Sequence, residues 1–285
     1  MSLAQGWFHS GVLLWPLWCP PDPPCPQHCV ATFSCWPFVA LHLAIFYGSA
    51  GCIHLLRRRG KWPSHTGFDA SFDDTFYIAW HIPMMVMAIP MGLMALSGAR
   101  DVWVTGDRFI EYGYITDPLV AEAGTWFVCF ISVDTVLLVV HKLGGQELYL
   151  HHMLFISGIM LWFRHCCASL PLCILVAQEL SSPALNVFTL LRAYKGINSV
   201  ITQGVFVIFA VLFYIFRVFL NTFGVVHAIC EVVHSFWDWR KSALRMPRFE
   251  GALLILVLVF AWALQIHWAR KIAVKFYHAI RSPSA

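Results

Sequence analysis

Asp134 and His141 stand seven residues apart in one hydrophobic stretch, and the pair His151-His152 opens the next. Farther on, Glu179-Leu180-Ser181-Ser182-Pro183-Ala184-Leu185-Asn186 interrupts a third apolar run, and Arg217 lies inside the run after it. These residue types suit proton chemistry. A histidine accepts and returns a proton near neutral pH, and a carboxylate orients the ring or stabilises its charged form. Ionisable groups are costly in hydrocarbon and, where they recur, face a bundle interior. The pattern predicts a chamber inside a membrane protein. Its candidate catalytic groups are His151, His152 and Asp134; its candidate ligand contacts are His141, Glu179, Ser182, Asn186, Arg217 and His81.

Seven residues are two helical turns, about 10 Å along one face. The short Gly144-Gly145 loop makes the flanking spans antiparallel neighbours, so His141 and the His pair are expected near one membrane surface. Asp134 is expected deeper, out of reach of His152 without a bridging group or water. Pro183 frees a backbone carbonyl one turn earlier, which a span tolerates only beside protein or a wet cavity. Arg217, with Asn221 one turn on, can neutralise Glu179 or Asp134, or snorkel to a headgroup. The plainer alternatives are an interface anchor or helix cap for the His pair and a satisfied core histidine for His81.

The elements that must hold these groups are membrane helices. Of 285 residues, 59% are hydrophobic and 12% charged, too little polar material to cover a water-facing globule. Seven spans are expected, at residues 38–56, 77–96, 121–141, 151–163, 168–191, 200–220 and 251–268. The second carries Pro83 and Pro90, the fifth is broken around Pro183, and residues 225–239 read as an interfacial helix. The fold class is therefore all-α, a polytopic bundle of about seven transmembrane helices. Residues 1–37 form a Pro- and Cys-rich arm, luminal or poorly ordered; residues 38–71 hold the first span and a basic cytosolic loop; residues 278–285 form a short tail.

With a luminal N-terminus, eleven of the nineteen Lys and Arg fall on the cytosolic side and seven on the other, with Arg217 inside a span. The net charge of +4 forms no basic stripe, so nucleic acid is not an expected partner. Six cysteines, Cys129 and Cys173 among them, lie in or beside apolar runs and read as packing residues. Cys19, Cys25, Cys29 and Cys35 cluster near His28 in a proline-rich stretch; a structural or incidental role is expected, with a disulfide pair or a zinc site as the alternative, since the spacing matches no strong metal pattern.

Asp134-x-x-Leu137-x-x-x-His141, His151-His152, Glu179-x-Ser-x-Pro183-x-x-Asn186 and Arg217, in that order, resemble the TLC-domain family over residues 72–277. This is the homology domain of translocating-chain-associating proteins, ceramide synthases and the ceroid-lipofuscinosis protein. The closing Leu264-Gln265-Ile266-His267-Trp268 before basic residues is similar to its last span.

The resemblance implies a multi-pass protein of the endoplasmic reticulum or another internal membrane, with a lipid-accessible central cavity. His151-His152 matches the His-His motif of ceramide synthases, and Asp134 the acidic position before it. Gln178-Glu179-Leu180-Ser181-Ser182 stands where a synthase shows His-Asp and a further Asp, and resembles instead the small TLC-domain-containing proteins.

Three functions are expected from this. The first is lipid homeostasis, by binding or regulating membrane lipids in the polar cavity. The second is an acyl-CoA-dependent N-acyltransferase using His151 and His152, with acyl-CoA as co-substrate and no resident cofactor. The third is an ER cargo or transport factor whose protein partners the sequence does not name. A retinal pigment would need a lysine in the seventh span, a di-iron desaturase more His ligands, and a repeat-built transporter an internal repeat.

Overall fold

The computed structural model describes residues 35–62, 74–105, 118–165, 169–237 and 248–281. The arm before Cys35 and the tail after Arg281 lie outside them. Every described element is helical. Hydrocarbon offers backbone groups no partners, so apolar runs of this length satisfy their own hydrogen bonds as helices. The helices are α1 (Cys35–Arg58), α2 (Asp74–Thr105), α3 (Pro118–His141), α4 (Gln146–His165), α5 (Ser169–Ala177), α6 (Ser182–Lys195), α7 (Val200–Phe213), α8 (Asn221–Trp237) and α9 (Arg248–Arg281). Six runs are long and apolar enough to cross a membrane: Trp36–Arg58, Thr75–Val104, Glu122–His141, Leu170–Lys195, Val200–Cys230 and Phe249–Tyr277. With the 20-residue α4 they make a bundle of seven long helices.

Two interruptions shape the centre. Between α5 and α6 the chain tightens into a 3-10 turn, Gln178–Ser181. The break expected around Pro183 therefore falls one turn ahead of it. Pro183 has no N–H to continue the ladder, but it fits within the first turn of α6, where that donor is not needed. Between α7 and α8 the helix widens into a π turn, Tyr214–Leu220, and runs on into α8. The helix thus runs on without a break from the sixth span, whose apolar stretch reaches Cys230, to Trp237, so residues 225–237 do not form the separate helix expected there.

The fourth helix also departs from expectation. It starts at Gln146, five residues before the His pair, because the reversal is confined to residues 142–145. α3 ends with Lys142 in the left-handed region at φ 53°, and Leu143 N–H donates back to Leu138 O at 3.1 Å. Gly144 lets the two helices close: a Cβ there would lie 2.9 Å from both Leu138 and Leu148 side chains. Cys129, expected as a packing residue, is disulfide-bonded, whereas Cys52 and Cys230 carry free thiols.

α2 is the central helix and packs against α1, α3, α5 and α6. It also touches the 3-10 turn, where Gly92 permits close approach: a Cβ there would meet Leu180 Cγ at 2.5 Å. α2, α3, α4, α9, α7 and α6 close a ring, each packed on the next. Outside, large apolar side chains such as Val136, Val140, Val200 and Phe219 are exposed, as a lipid-facing surface requires. Inside, the ring surrounds a cavity.

Candidate functional site

The 3-10 turn and the π turn face each other, and each delivers one half of an ion pair. Arg217 Nη2 lies 3.0 Å from Glu179 Oε1, with both side chains buried. Arg217 Nε donates to Ser181 Oγ and Nη2 to Ser182 Oγ, both at 2.8 Å. Ser182 Oγ donates in turn to Glu179 Oε2 at 2.6 Å. Two serines at successive positions surround the guanidinium because the tight turn brings both hydroxyls to one side. This network supplies the hydrogen bonds that a desolvated ion pair needs. Of the two partners open to Arg217, it takes Glu179.

Asp134 is held in a different way. It sits in the regular part of α3, and Trp80 Nε1 donates to its Oδ1 in a short hydrogen bond. Its Oδ2 lies 3.4 Å from His152 Nε2, a charge-pair distance longer than a full hydrogen bond. This direct approach corrects the expectation that Asp134 lies too deep. Asp134 is seven residues before the end of α3, and His152 is six residues after the start of α4, so antiparallel packing brings them level.

The hydroxyl of Thr135 donates to Ile131 O at 2.6 Å and meets His152 Nδ1 at 2.9 Å. Having only one proton, it accepts from the ring, so Nδ1 carries a hydrogen. His152 Nε2 and Asp134 Oδ2 then attract each other when one proton lies between them. His152 Nδ1 is thus hydrogen-bonded, whereas Nε2 only lies within charge-pair distance of Asp134 Oδ2.

His151 is different again. Its ring packs against Phe155 at 4.2 Å and Trp268 at 5.1 Å between centroids. Its Nδ1 has no hydrogen-bond partner among the described residues. On α2, His81 Nδ1 pairs with Asn186 Oδ1 at 2.7 Å, linking α2 to α6. These groups border one cavity of about 390 Å³. Its polar wall includes His81, His151, His152, Glu179, Asn186 and Arg217. Met84, Phe127, Phe130 and Ile131 give it an apolar wall, and Arg192, Lys271 and Lys275 border the end near the α3–α4 reversal.

Glu147 braces that end. Lys271 Nζ lies 2.7 Å and 3.0 Å from its two oxygens, and Trp268 Nε1 donates to it at 2.9 Å. It precedes the apolar part of α4 and is half exposed. Lys271 first, then Trp268, holds its carboxyl down at about 2.

Of the residues singled out in the sequence, His81, His151, His152, Glu179, Ser182, Asn186 and Arg217 border the cavity. Asp134 stands behind that wall, within charge-pair distance of His152. His141 is not brought to the cavity: its ring stacks on Phe76 at 4.3 Å, and its Nε2 meets Tyr47 Oη at 3.4 Å. Asp134 and His141 do share a face, but it packs on α2, where Phe76 and Trp80 are one turn apart. Trp80, Thr135 and Ser181 belong to the site and were not anticipated. Thr135 and Ser181 at least adjoin flagged positions, whereas Trp80 carries no local signal. Among the described residues, no three His, Cys, Asp or Glu form a metal-binding group.

The site thus defines a class, polytopic helical membrane proteins with a polar cavity walled by the spans. The TLC domain matches residues 25–274, and the chain belongs to that family. Comparison with curated proteins finds no significant match.

Proposed function

We propose that the protein binds a membrane lipid, with its polar group in the cavity and its chain along the apolar wall, and so acts in lipid homeostasis. One observation carries this reading. The cavity of about 390 Å³ joins Phe127, Phe130 and Ile131 to a buried polar wall within a single space. Pockets of this size and mixture take amphiphilic small molecules. The end bordered by Arg192, Lys271 and Lys275 is on the side with more Lys and Arg, which the positive-inside bias makes cytosolic. Family membership supports the endoplasmic reticulum or another internal membrane.

Mass spectrometry of lipid retained by the purified protein tests the reading. A defined lipid should be recovered near one per chain, and Ile131→Trp, which fills the cavity, should reduce its occupancy several-fold while the protein still folds. Bulk membrane lipid without enrichment, unchanged by Ile131→Trp, would count against it.

A second reading, acyl transfer, is favoured by His151, which has an unpartnered ring nitrogen on a residue bordering the cavity. As a general base it would take the proton from an acceptor hydroxyl or amine as that group attacks an acyl thioester. His152, anchored to Thr135 through Nδ1, would support the wall. Under this reading His151→Ala removes turnover while His152→Ala also lowers stability. A folded protein inert toward acyl-CoA and acceptors would exclude it.

A further inference from the structure

The cavity has a buried end and an open end, and both carry charge. The Glu179–Arg217 pair marks the buried end, just ahead of α6. Arg192 lies ten residues beyond Ser182 on α6, about 15 Å along the helix axis, and borders the open end with Lys271 and Lys275 of α9. The side chains there reach solvent: Arg192 is partly buried, and Lys271 and Lys275 are exposed.

Positive charge is in excess. Among the described residues bordering the cavity, Arg192, Arg217, Lys271 and Lys275 are cations and Glu179 is the one acid. Glu179 answers Arg217, and Glu147, beside the opening, answers Lys271. Lys275 makes no ion pair among the described residues. It follows Lys271 by one helical turn, a spacing at which like charges repel. Arg192 brings the charge of a second helix to the same opening, with Tyr77 in electrostatic reach.

Cations at helix ends on this side are ordinary for a membrane protein. What sets these three apart is their place. Arg58, Arg59, Lys195 and Arg270 lie at the same membrane side, and none of them borders the cavity.

Cations from two helices over the mouth of an apolar space suit an anion tethered to a hydrocarbon chain. A carboxylate brings one negative charge, whereas a phosphate monoester brings about 1.5 to 2 at pH 7, with three acceptor oxygens. Arg and Lys both bind phosphate, Arg through its planar fork and Lys as a point charge. At the open end a phosphate keeps part of its hydration. At the buried end it would be desolvated against Glu179.

We infer that the cavity takes an amphiphile with an anionic phosphate, held at the opening by Arg192, Lys271 and Lys275, while its chain descends along Phe130 and Phe127. This names the lipid class for the lipid-binding reading and rests on that reading.

Three photoreactive probes of one alkyl chain test this, ending in a phosphate monoester, a phosphocholine or an alcohol. They are applied to the purified full-length protein in phosphatidylcholine nanodiscs, with cross-links mapped by peptide mass spectrometry. The phosphate probe should label cavity peptides at concentrations about tenfold below the other two. Arg192→Gln combined with Lys275→Gln should bring the three to within about twofold. Arg270→Gln, on the same membrane side but off the cavity, should leave the tenfold difference in place. Inorganic phosphate or coenzyme A, added in water at about 1 mM, should not displace the phosphate probe.

Equal labelling by the three probes, a preference for phosphocholine or alcohol, a difference lost as fully in Arg270→Gln, or one that survives the double substitution in folded protein overturns the inference and leaves lipid binding standing. Displacement by either soluble competitor overturns the lipid as the source of the phosphate. No cavity labelling by any probe overturns lipid binding itself. The wild type and Arg270→Gln decide the matter even where the double variant does not fold.

Discussion

Glu179 meets a permanent cation, and Asp134 meets a ring that can gain or lose a proton. Both carboxyls are buried in the same bundle, yet the backbone treats them differently. Glu179 and Arg217 both arrive on helical segments that depart from α geometry, a 3-10 turn and a π turn, and two serines complete their hydrogen bonds. Asp134 and His152 sit in regular helices, with Trp80 and Thr135 taking one atom of each. A fixed ion pair in hydrocarbon demands full coordination, and helix irregularity supplies the approach. A pair that holds one proton between its members needs less, because it is neutral overall in either form. The first pair fixes the geometry of the cavity wall, and the second stands behind it.

The largest effect should come from breaking the fixed pair on one side. Arg217→Met leaves Glu179 buried without a cation and should cost about 3–5 kcal/mol in unfolding free energy. Combining it with Glu179→Met removes the orphaned charge and should recover most of that loss, read by denaturant unfolding in micelles. A double variant as unstable as the single would show that shape, not charge, sets the cost. A single variant as stable as wild type would end the comparison altogether.

The Asp134 pair should respond less. Asp134→Asn keeps an acceptor for Trp80 and a donor for His152, so about 1 kcal/mol or less is expected by the same assay. Asp134→Leu leaves the Trp80 N–H without its partner and should cost about 1–3 kcal/mol. If Asp134→Asn proves as damaging as Arg217→Met, then Asp134 is a fixed ion and the two pairs are alike.

Much of this architecture was legible in the residue order, for physical reasons that can be named. Long apolar runs have one structural solution in hydrocarbon, so the spans and the all-α class followed from them. Glu179, Arg217 and the His pair stood out because charged and polar types are rare there. What stayed hidden was relative height and direction. Gln146-Glu147 looked like loop because it is polar, and omitting that turn from α4 moved His152 away from Asp134. His141 shares a face with Asp134, but only packing shows that the face meets α2. Nothing local distinguished Glu179 from Asp134 as the partner of Arg217, since the π turn that aims the guanidinium has no sequence signature. Trp80 was one aromatic residue among many until Asp134 was seen against it.

A third carboxylate completes the comparison, because Glu147 is paired with Lys271 at the half-exposed surface rather than inside the bundle. Hydrogen bonds from Lys271 and Trp268 hold its carboxyl below the ordinary 4.5, at about 2. Its stabilising contribution is therefore complete above about pH 4.5 and is lost only as pH falls through about 2. Solvent screens the pair, and exposed ion pairs are weak and salt-sensitive. Glu147→Gln should thus give the smallest change of the three in thermal unfolding at neutral pH, and raising the salt should shrink it further. A salt-independent loss as large as that of Arg217→Met would mean that the α4–α9 clamp works through burial. Glu147 would then belong with Glu179, as a fixed and fully coordinated charge.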